Sequence, residues 1–378
     1  MRNRKKKSIG IFSKTILAFN FVAAFFLLLC YLASFVNPDT FWPLAFIGLS
    51  YPFVLLINLC FFIYWILRRP VFSLLSALTI LIGWKFLTGT IGFRETTGIE
   101  VPKSSESFVR VMTWNAHYFR KFDDQGHEKA VKDQMLEVIQ NEQPDIICIQ
   151  EFYSRRKGEF NLQKAMTKLL NSSHYYIEEN YGNDYEMHAM AIFSKYPIRN
   201  KGIILFPQAD RGNEAQFADF RIKDKRFRVY NIHLESIKFQ PEDYEYLKSV
   251  KEINTDVKSS RRIGSRLKHA FIKRGQQVEL LKEHASKLNI PYIIAGDFND
   301  TPISYAVNNL SDGMHNSFRE KGSGFGITYN GAFPNFQIDY ILVSPGISVK
   351  NYIIIKKKLS DHYPVRCDIE IDSNAVKD

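Results

Sequence analysis

The 378-residue chain carries 50 Lys/Arg against 39 Asp/Glu, a formal net charge of +11. The excess is uneven: residues 1–100 hold 10 basic and 3 acidic residues, and the remainder holds 40 and 36. A distal region that is only mildly basic argues against a protein relying on many phosphate contacts, and just two of its four cysteines lie beyond residue 100, which argues against a disulfide-stapled scaffold.

In chain order, residues 15–36 are uncharged and long enough to cross a bilayer. Residues 45–67 form a second uncharged apolar segment, and residues 71–92 a third, interrupted only by Lys85, which can snorkel to the interface. The reading is a membrane anchor over 1–93 with about three transmembrane helices. The basic MRNRKKK start and Arg68-Arg69 between the second and third spans mark the cytoplasmic side, whereas the first connection carries only Asp39. An odd number of spans then places the rest of the chain outside the cytoplasm. This makes a multi-pass protein of the cell's inner or plasma membrane; two spans would leave the domain inside.

Residues 94–107 read as a polar linker. FVRVMTWN then reads as a strand ending in Asn115, 128–141 as a helix, and DIICIQE as a buried strand ending in Glu151. Residues 160–171 look helical. MAIFSKYPI (190–198) and GIILFP (202–207) are strands, and 217–222 with 227–234 form a hairpin across KDKR. The stretch 237–290 is charged and mostly helical. Its cluster of Lys258, Arg261, Arg262, Arg266, Lys268, Lys273 and Arg274 is either a solvated helix face or a wall for an anionic substrate. IIAGDFND (293–300) is a β-branched run ending in Asp297 and Asn299, which share a side if the chain stays extended and otherwise form an Asx turn. FQIDYILV (336–343) and LSDHYPVRCDIEI (359–371) close the domain, with 372–378 as a tail. Cys148 and Cys367 sit in strand-like runs and read as small buried hydrophobes. Adjacent strand pairs with interspersed helices suit two mixed sheets packed face to face.

Eight polar groups sit at strand ends: Asn115, Glu151, His233, Asp297, Asn299, Asp339, Asp361 and His362. Each has a plain alternative, as a turn cap, a solvated end or a satisfied core histidine. Asp339 is different, because a carboxylate within IDYIL is costly to bury without a partner. The imidazolium of His362 is the natural one.

The ordered set TWNAHYF, DIICIQE, AIFSKYPI, YNIHLES, AGDFNDTP, QIDYILVS and SDHYPV resembles the endonuclease/exonuclease/phosphatase (deoxyribonuclease I-like) superfamily over residues 108–371. The resemblance implies an α/β fold, a four-layer sandwich of two mixed β-sheets flanked by helices. It also implies metal-assisted phosphoester hydrolysis with Mg²⁺ or Mn²⁺. Glu151 would be the principal metal ligand, with Asn115 and Asp361 nearby, directly or through water. Asp297, helped by Asn299, would activate the attacking water. His362, held by Asp339, would bind a phosphate oxygen, and His233 would contact phosphate or protonate the leaving oxygen. Two departures are Ile232 before His233, where the family usually has threonine, and Gln337, where an arginine is frequent. The implied substrate is a phosphoester: nucleic acid, a phospholipid, an inositol phosphate or another small phosphate ester. The bilayer is the other expected partner, and no protein partner is expected. A non-catalytic metal-binding signalling protein is the alternative from another class.

Overall fold

The computed structural model describes residues 10–94, 103, 105, 107–120, 128–207, 209, 211–251, 256–331 and 335–372. The basic N-terminal run, most of the expected linker and the tail fall outside these. The chain divides into two compact units, Met1–Leu87 with Ile303–Tyr305, and Thr88–Pro302 with Ala306–Asp378.

The first unit is built from α1 (Ile11–Leu32), α2 (Pro38–Phe41), α3 (Pro43–Leu49), α4 (Tyr51–Arg68), α5 (Pro70–Ile82) and α6 (Trp84–Thr90). Its exterior is apolar, unlike that of a water-soluble bundle, and a few polar side chains lie within its apolar core. Asn20, Asn58, Ser76 and Thr79 are buried, while Phe12, Phe19, Phe25, Leu56, Ile63 and Leu78 are exposed. Asn20 Nδ2 donates to Ser76 Oγ at 2.7 Å, and Asn58 Nδ2 to the carbonyls of Ala23 and Val54 at 3.0 and 2.9 Å. Polar side chains thus join the helices from within, as lipid-facing bundles require. Two helices, α1 and α4, are long and apolar enough to cross a membrane. The expected third span is not one straight helix: α5 and α6 meet at a 70° bend. The break falls at Gly83, where a Cβ would sit 2.0 Å from the Tyr31 ring, so close helix approach selects glycine there. The second span differs too, because Ser50, ahead of Pro52, separates α3 from α4.

In the second unit two strands, β1 (Ile91–Phe93) and β2 (Val109–Asn115), precede α7 (Lys129–Glu142) and β3 (Ile146–Arg155). Then come α8 (Leu162–Leu169), β4 (His174–Gly182), β5 (Glu186–Ser194), β6 (Ile198–Leu205), β7 (Glu214–Ile222) and β8 (Lys225–His233). Two helices, α9 (Pro241–Lys251) and α10 (Val257–Ser286), lead to β9 (Tyr292–Asp297). The remaining strands are β10 (His315–Asn316), β11 (Ser323–Phe325), β12 (Asp339–Val343), β13 (Ile347–Ile354) and β14 (Val365–Ile371). They form two six-stranded sheets, in the orders β10-β12-β9-β8-β7-β6 and β13-β14-β2-β3-β5-β4, and β1 pairs with β11. Both large sheets are mixed. β2 and β3 are parallel, as are β8 and β9, and the other pairs are antiparallel. Each parallel pair needs a crossover, supplied by α7 in one case and by α9 and α10 in the other.

One apolar core joins residues of both sheets: Val111, Cys148 and Cys367 of one meet Val229, Ala295 and Ile341 of the other. A second lies between the β2–β3–β5 surface and α7 and α8, through Met112, Ile147, Met135, Ile139 and Met166. The architecture is the expected four-layer arrangement, and both cysteines are free and buried. The carboxyl ends of β2, β3, β8 and β9, the start of β12 and the segment before β14 carry the polar residues singled out in the sequence. In register, His233 lies opposite Asp297, and Asp297 opposite Asp339. At the other end of β2, Arg110 is held by both oxygens of Asp368 at 2.6 and 2.8 Å, so charge there is paired within the fold.

Candidate active site

Three local devices aim side chains into the mouth between the sheets. The first is a bulge in β3, where the register to β5 shifts between Ile149 and Phe152 and Glu151 adopts φ 49°. A bulge re-aims a side chain that regular pleating would send elsewhere. The second follows β2, where His117, Tyr118 and Phe119 take φ of 44°, 55° and 58° in succession. Left-handed backbone costs roughly 1–2 kcal/mol per non-glycine residue, and such strain gathers at functional sites. The third is the end of β9. Gly296 lies so close to β8 that a Cβ would sit 2.0 Å from the Ile232 carbonyl oxygen. Asn299 then turns with φ 53°, its backbone N–H donating to Asp297 Oδ1 at 2.8 Å. Asp297 and Asn299 are therefore brought together by an Asx turn, not by persistence of the strand.

Asp297 is at the centre. It is buried, and its Oδ2 accepts from Asn115 Nδ2 at 3.1 Å and from Asn299 Nδ2 at 3.2 Å. The same oxygen lies 3.6 Å from His233 Nε2 and 3.8 Å from His362 Nε2. Burial and the neighbouring Asp339 carboxylate hold its pKa above the usual carboxylate range, against the opposing charges of His362 and His233. His362 Nδ1 meets the buried Asp339 carboxylate at 2.9 and 3.1 Å. Burial opposes the imidazolium, but Asp339, Asp297 and Asp361 outweigh it and raise the His362 pKa well above that of a free histidine. His362 therefore carries its proton at neutral pH and directs Nε2 toward Asp297.

A second group lies beside this one. Glu151 Oε2 and Asp361 Oδ1 are 3.5 and 3.7 Å from the same atom, His117 Nδ1. Burial would raise the Glu151 pKa, but contact with His117 and the charges of His233, His117 and His362 bring it down to about 2. Burial likewise opposes charge on His117, and Glu151 and Asp361 override it to raise that pKa. Asn115 Nδ2 also reaches Glu151 Oε1 at 3.3 Å, while Asn115 Oδ1 accepts from the His117 backbone N–H at 3.1 Å. All eight sequence-selected residues thus fall into one connected cluster.

Two carboxylates converging on one imidazole nitrogen, with an amide beside them, are a donor set that fits a hard divalent cation. Asp297, Asp339 and His362 also approach one another closely enough to hold an ion. There, however, His362 Nδ1 already donates to Asp339, and an ion would have to displace that proton. The His362 imidazolium already offsets one of the two carboxylates, and the Glu151–Asp361 group is the better cation site.

Sequence reasoning passed over His117 and His188. His117 stands two residues after Asn115 in TWNAHYF, so its position was visible, although the left-handed turn that aims it was not. His188, on β5, is buried and ringed by Tyr118, Tyr153 and Tyr181 at centroid distances of 4.9, 5.3 and 4.3 Å. The basic cluster on α10 is largely absorbed within the fold. Arg262 and Arg266 pair with Asp243, Lys273 with Glu235 and Arg274 with Asp300.

Two family models match the chain. One, described as Endonuclease/Exonuclease/phosphatase family, covers residues 112–362. The other, described as Domain of unknown function (DUF8431), covers residues 13–90. Among solved structures, an endonuclease/exonuclease/phosphatase from Beutenbergia cavernae is 18% identical with a TM-score of 0.51, covering 70% of this chain and 72% of that one. One from Bacteroides vulgatus is 19% identical with a TM-score of 0.50, covering 71% of this chain and 100% of that one. These likenesses concern the fold. No curated protein matches the chain.

Proposed function

The chain belongs to the endonuclease/exonuclease/phosphatase family, and on that premise we propose that it is a membrane-anchored, divalent-metal-dependent phosphoester hydrolase, with phosphodiesters as its substrates. The observation that carries this reading is Asp297, buried yet flanked by two imidazole Nε2 atoms at 3.6 and 3.8 Å. That is a buried carboxylate between two imidazoles, at the mouth of the sheets where ligands gather.

Glu151 and Asp361, with Asn115 alongside, would hold Mg²⁺ or Mn²⁺, which when bound neutralises charge on the phosphoryl oxygens and the leaving group. The protein's own residues do the rest. Asp297 takes a proton from the attacking water, and its raised pKa makes it a stronger base than an ordinary carboxylate. Asn115 and Asn299 fix its orientation through their amide groups. His362, protonated and held by Asp339, donates from Nε2 to a phosphate oxygen as negative charge builds in the transition state. His233, whose Nε2 has no hydrogen-bond partner among the described residues, would contact phosphate or protonate the departing oxygen.

The test is hydrolysis of bis(p-nitrophenyl) phosphate by the full chain in detergent, after chelation and re-addition of Mg²⁺ or Mn²⁺. Wild type is expected to require the ion. Glu151→Gln, which keeps the size of the side chain, should lower activity at least about 100-fold and weaken Mn²⁺ binding measured by calorimetry or electron paramagnetic resonance. Unchanged Mn²⁺ binding would remove Glu151 from the metal site. A wild type inert toward every phosphoester would end the enzymatic reading.

We also infer that α1, α4 and the bent α5–α6 pair are three crossings, with the Arg68-Arg69 turn cytoplasmic and the enzyme domain on the opposite face. An alkaline phosphatase fused after residue 94 should then be active in cells. An inactive fusion, with a cytoplasmic reporter active at the same point, would place the domain inside.

A further inference from the structure

A cavity of about 140 Å³ opens beside the catalytic cluster and shares Glu151 and His233 with it. Its other walls include Tyr118, Tyr181, His188, Asn180, Arg211 and Lys238. Several features mark it as built. β4 carries a bulge between Glu179 and Tyr181, so Asn180 and Tyr181 are re-aimed at this point. Tyr181 stacks on His188 with rings 15° from parallel, yet remains half exposed itself. His188 is only 8% exposed, and its Nδ1 has no hydrogen-bond partner among the described residues. A buried imidazole nitrogen without a partner is costly unless something supplies one. Burial also lowers the His188 pKa, against the attraction of Glu186, so the ring is neutral and offers both a donor and an acceptor. Arg211 Nη1 donates to the Asn180 carbonyl at 3.0 Å, and Arg211 forms no ion pair among the described residues.

These properties separate the substrate classes left open by the catalytic cluster. The volume is well below the roughly 300–1,000 Å³ of sites for drug-sized ligands, so it admits one ring and not an acyl chain. Aromatic walls alone would also suit a quaternary ammonium head group, but the Arg211 cation repels one; Lys238 is already paired with Glu235 at 3.0 Å. A planar, hydrogen-bonding ring joined to a phosphate satisfies every wall at once: aromatic faces for the ring, His188 Nδ1 for its heteroatom edge, and Arg211 for neighbouring anionic charge. We propose that this cavity is a nucleoside subsite, receiving the base next to the scissile phosphate, and that the substrates are accordingly nucleotide esters or single-stranded nucleic acid. The proposal rests on the phosphoester-hydrolase reading above and names the substrate class of that site.

Two chromogenic diesters with the same leaving group test it: thymidine 5′-(p-nitrophenyl phosphate) and methyl p-nitrophenyl phosphate, hydrolysed by the full chain in detergent with Mn²⁺. Base–aromatic stacking, at about 1–3 kcal/mol, corresponds to a roughly 5- to 150-fold preference in kcat/KM for the nucleoside ester. In Tyr181→Ala that ratio should fall about ten-fold, whereas Arg211→Ala, which removes a charge facing the phosphate common to both diesters, should lower both rates and leave the ratio nearly unchanged. A wild-type ratio near one, or a ratio that Tyr181→Ala does not change, overturns the proposal. So does a preference for p-nitrophenylphosphorylcholine over both diesters, which would point to a lipid head group. If wild type hydrolyses neither diester, the hydrolase reading fails separately, and binding of thymidine 5′-monophosphate by calorimetry then decides. Binding lost in Tyr181→Ala upholds the subsite, and absence of binding to wild type rejects it.

Discussion

Asp297→Asn should lower kcat by about 10²–10⁴-fold, the range that a positioned general base contributes. The substitution is nearly isosteric and keeps an oxygen to accept from the Asn299 backbone, so the turn that ends β9 should persist. Proton-accepting power is what it removes. Asp297 accepts from Asn115 Nδ2 and Asn299 Nδ2, and the imidazoles of His233 and His362 stand 3.6 and 3.8 Å from it. An asparagine there presents an NH₂ group toward some of these donors, so a small loss of stability accompanies the catalytic loss. Substrate affinity should change much less than kcat, because the water, not the phosphoester, is the group that Asp297 serves. The pH profile provides a second check. The wild-type acid limb of kcat/KM should lie above the ordinary carboxylate range, since burial and Asp339 raise the Asp297 pKa. In the residual activity of Asp297→Asn that limb should disappear. An unchanged kcat, or an acid limb that survives the substitution, would assign the base to another residue.

Much of this site could be read from the chain because strand ends carry their own signature. IIAGDFND and DIICIQE each pass from a β-branched apolar run to a carboxylate, and that passage marks the mouth of a sheet. Asp339 was legible for a different reason: a carboxylate amid IDYIL has to find a cation, and His362 lies 2.9 Å away. Residues whose placement depends on irregular backbone were not legible. His117 reaches Glu151 and Asp361 only because three successive non-glycine residues adopt positive φ. β4 was missed altogether. It is an edge strand with a bulge, its sequence HYYIEENYG lacks clean alternation, and only two of its nine residues are buried. β13 escaped notice for a related reason, since its register to β14 shifts between Val349 and Asn351 and breaks the period of two. The basic cluster on α10 could be read from the sequence as a solvated helix face or as a wall for an anion. Sequence alone did not show that Asp243, Glu235 and Asp300 come from distant parts of the chain to neutralise four of its seven cations. In this fold the regular elements reveal the catalytic pair of sheets, and the irregular ones decide what lies beside it.

His362→Asn should cost both activity and stability, and the two losses should separate with pH. Within the folded protein the His362 imidazolium faces three carboxylates, Asp339, Asp297 and Asp361. Removing it leaves the buried Asp339 without its counter-charge, and breaking a buried pair from one side typically costs about 3–5 kcal/mol. The sign of the pH dependence follows from linkage. The folded-state pKa lies well above 6.5, so the contribution of His362 is fully present below the unfolded value and is lost as pH rises through the folded one. Asp297, whose pKa is also raised, acts in the same direction at lower pH, its ionisation reducing stability above the unfolded carboxylate value. Wild type should therefore lose thermal stability steadily on the alkaline side of neutrality. His362→Asn should start lower near pH 6 and show a flatter alkaline slope, approaching wild type at high pH where the imidazole of the native protein is itself neutral. Thermal unfolding of the full chain in one detergent, scanned from acidic to alkaline pH, measures both curves. Asp339→Asn is the complementary variant: it leaves His362 near Asp297 but lowers its pKa, so the alkaline limb of activity should move toward neutrality. A His362→Asn protein as stable as wild type near pH 6 would mean that Asp339 draws its compensation from elsewhere. The imidazolium would then serve the phosphate alone.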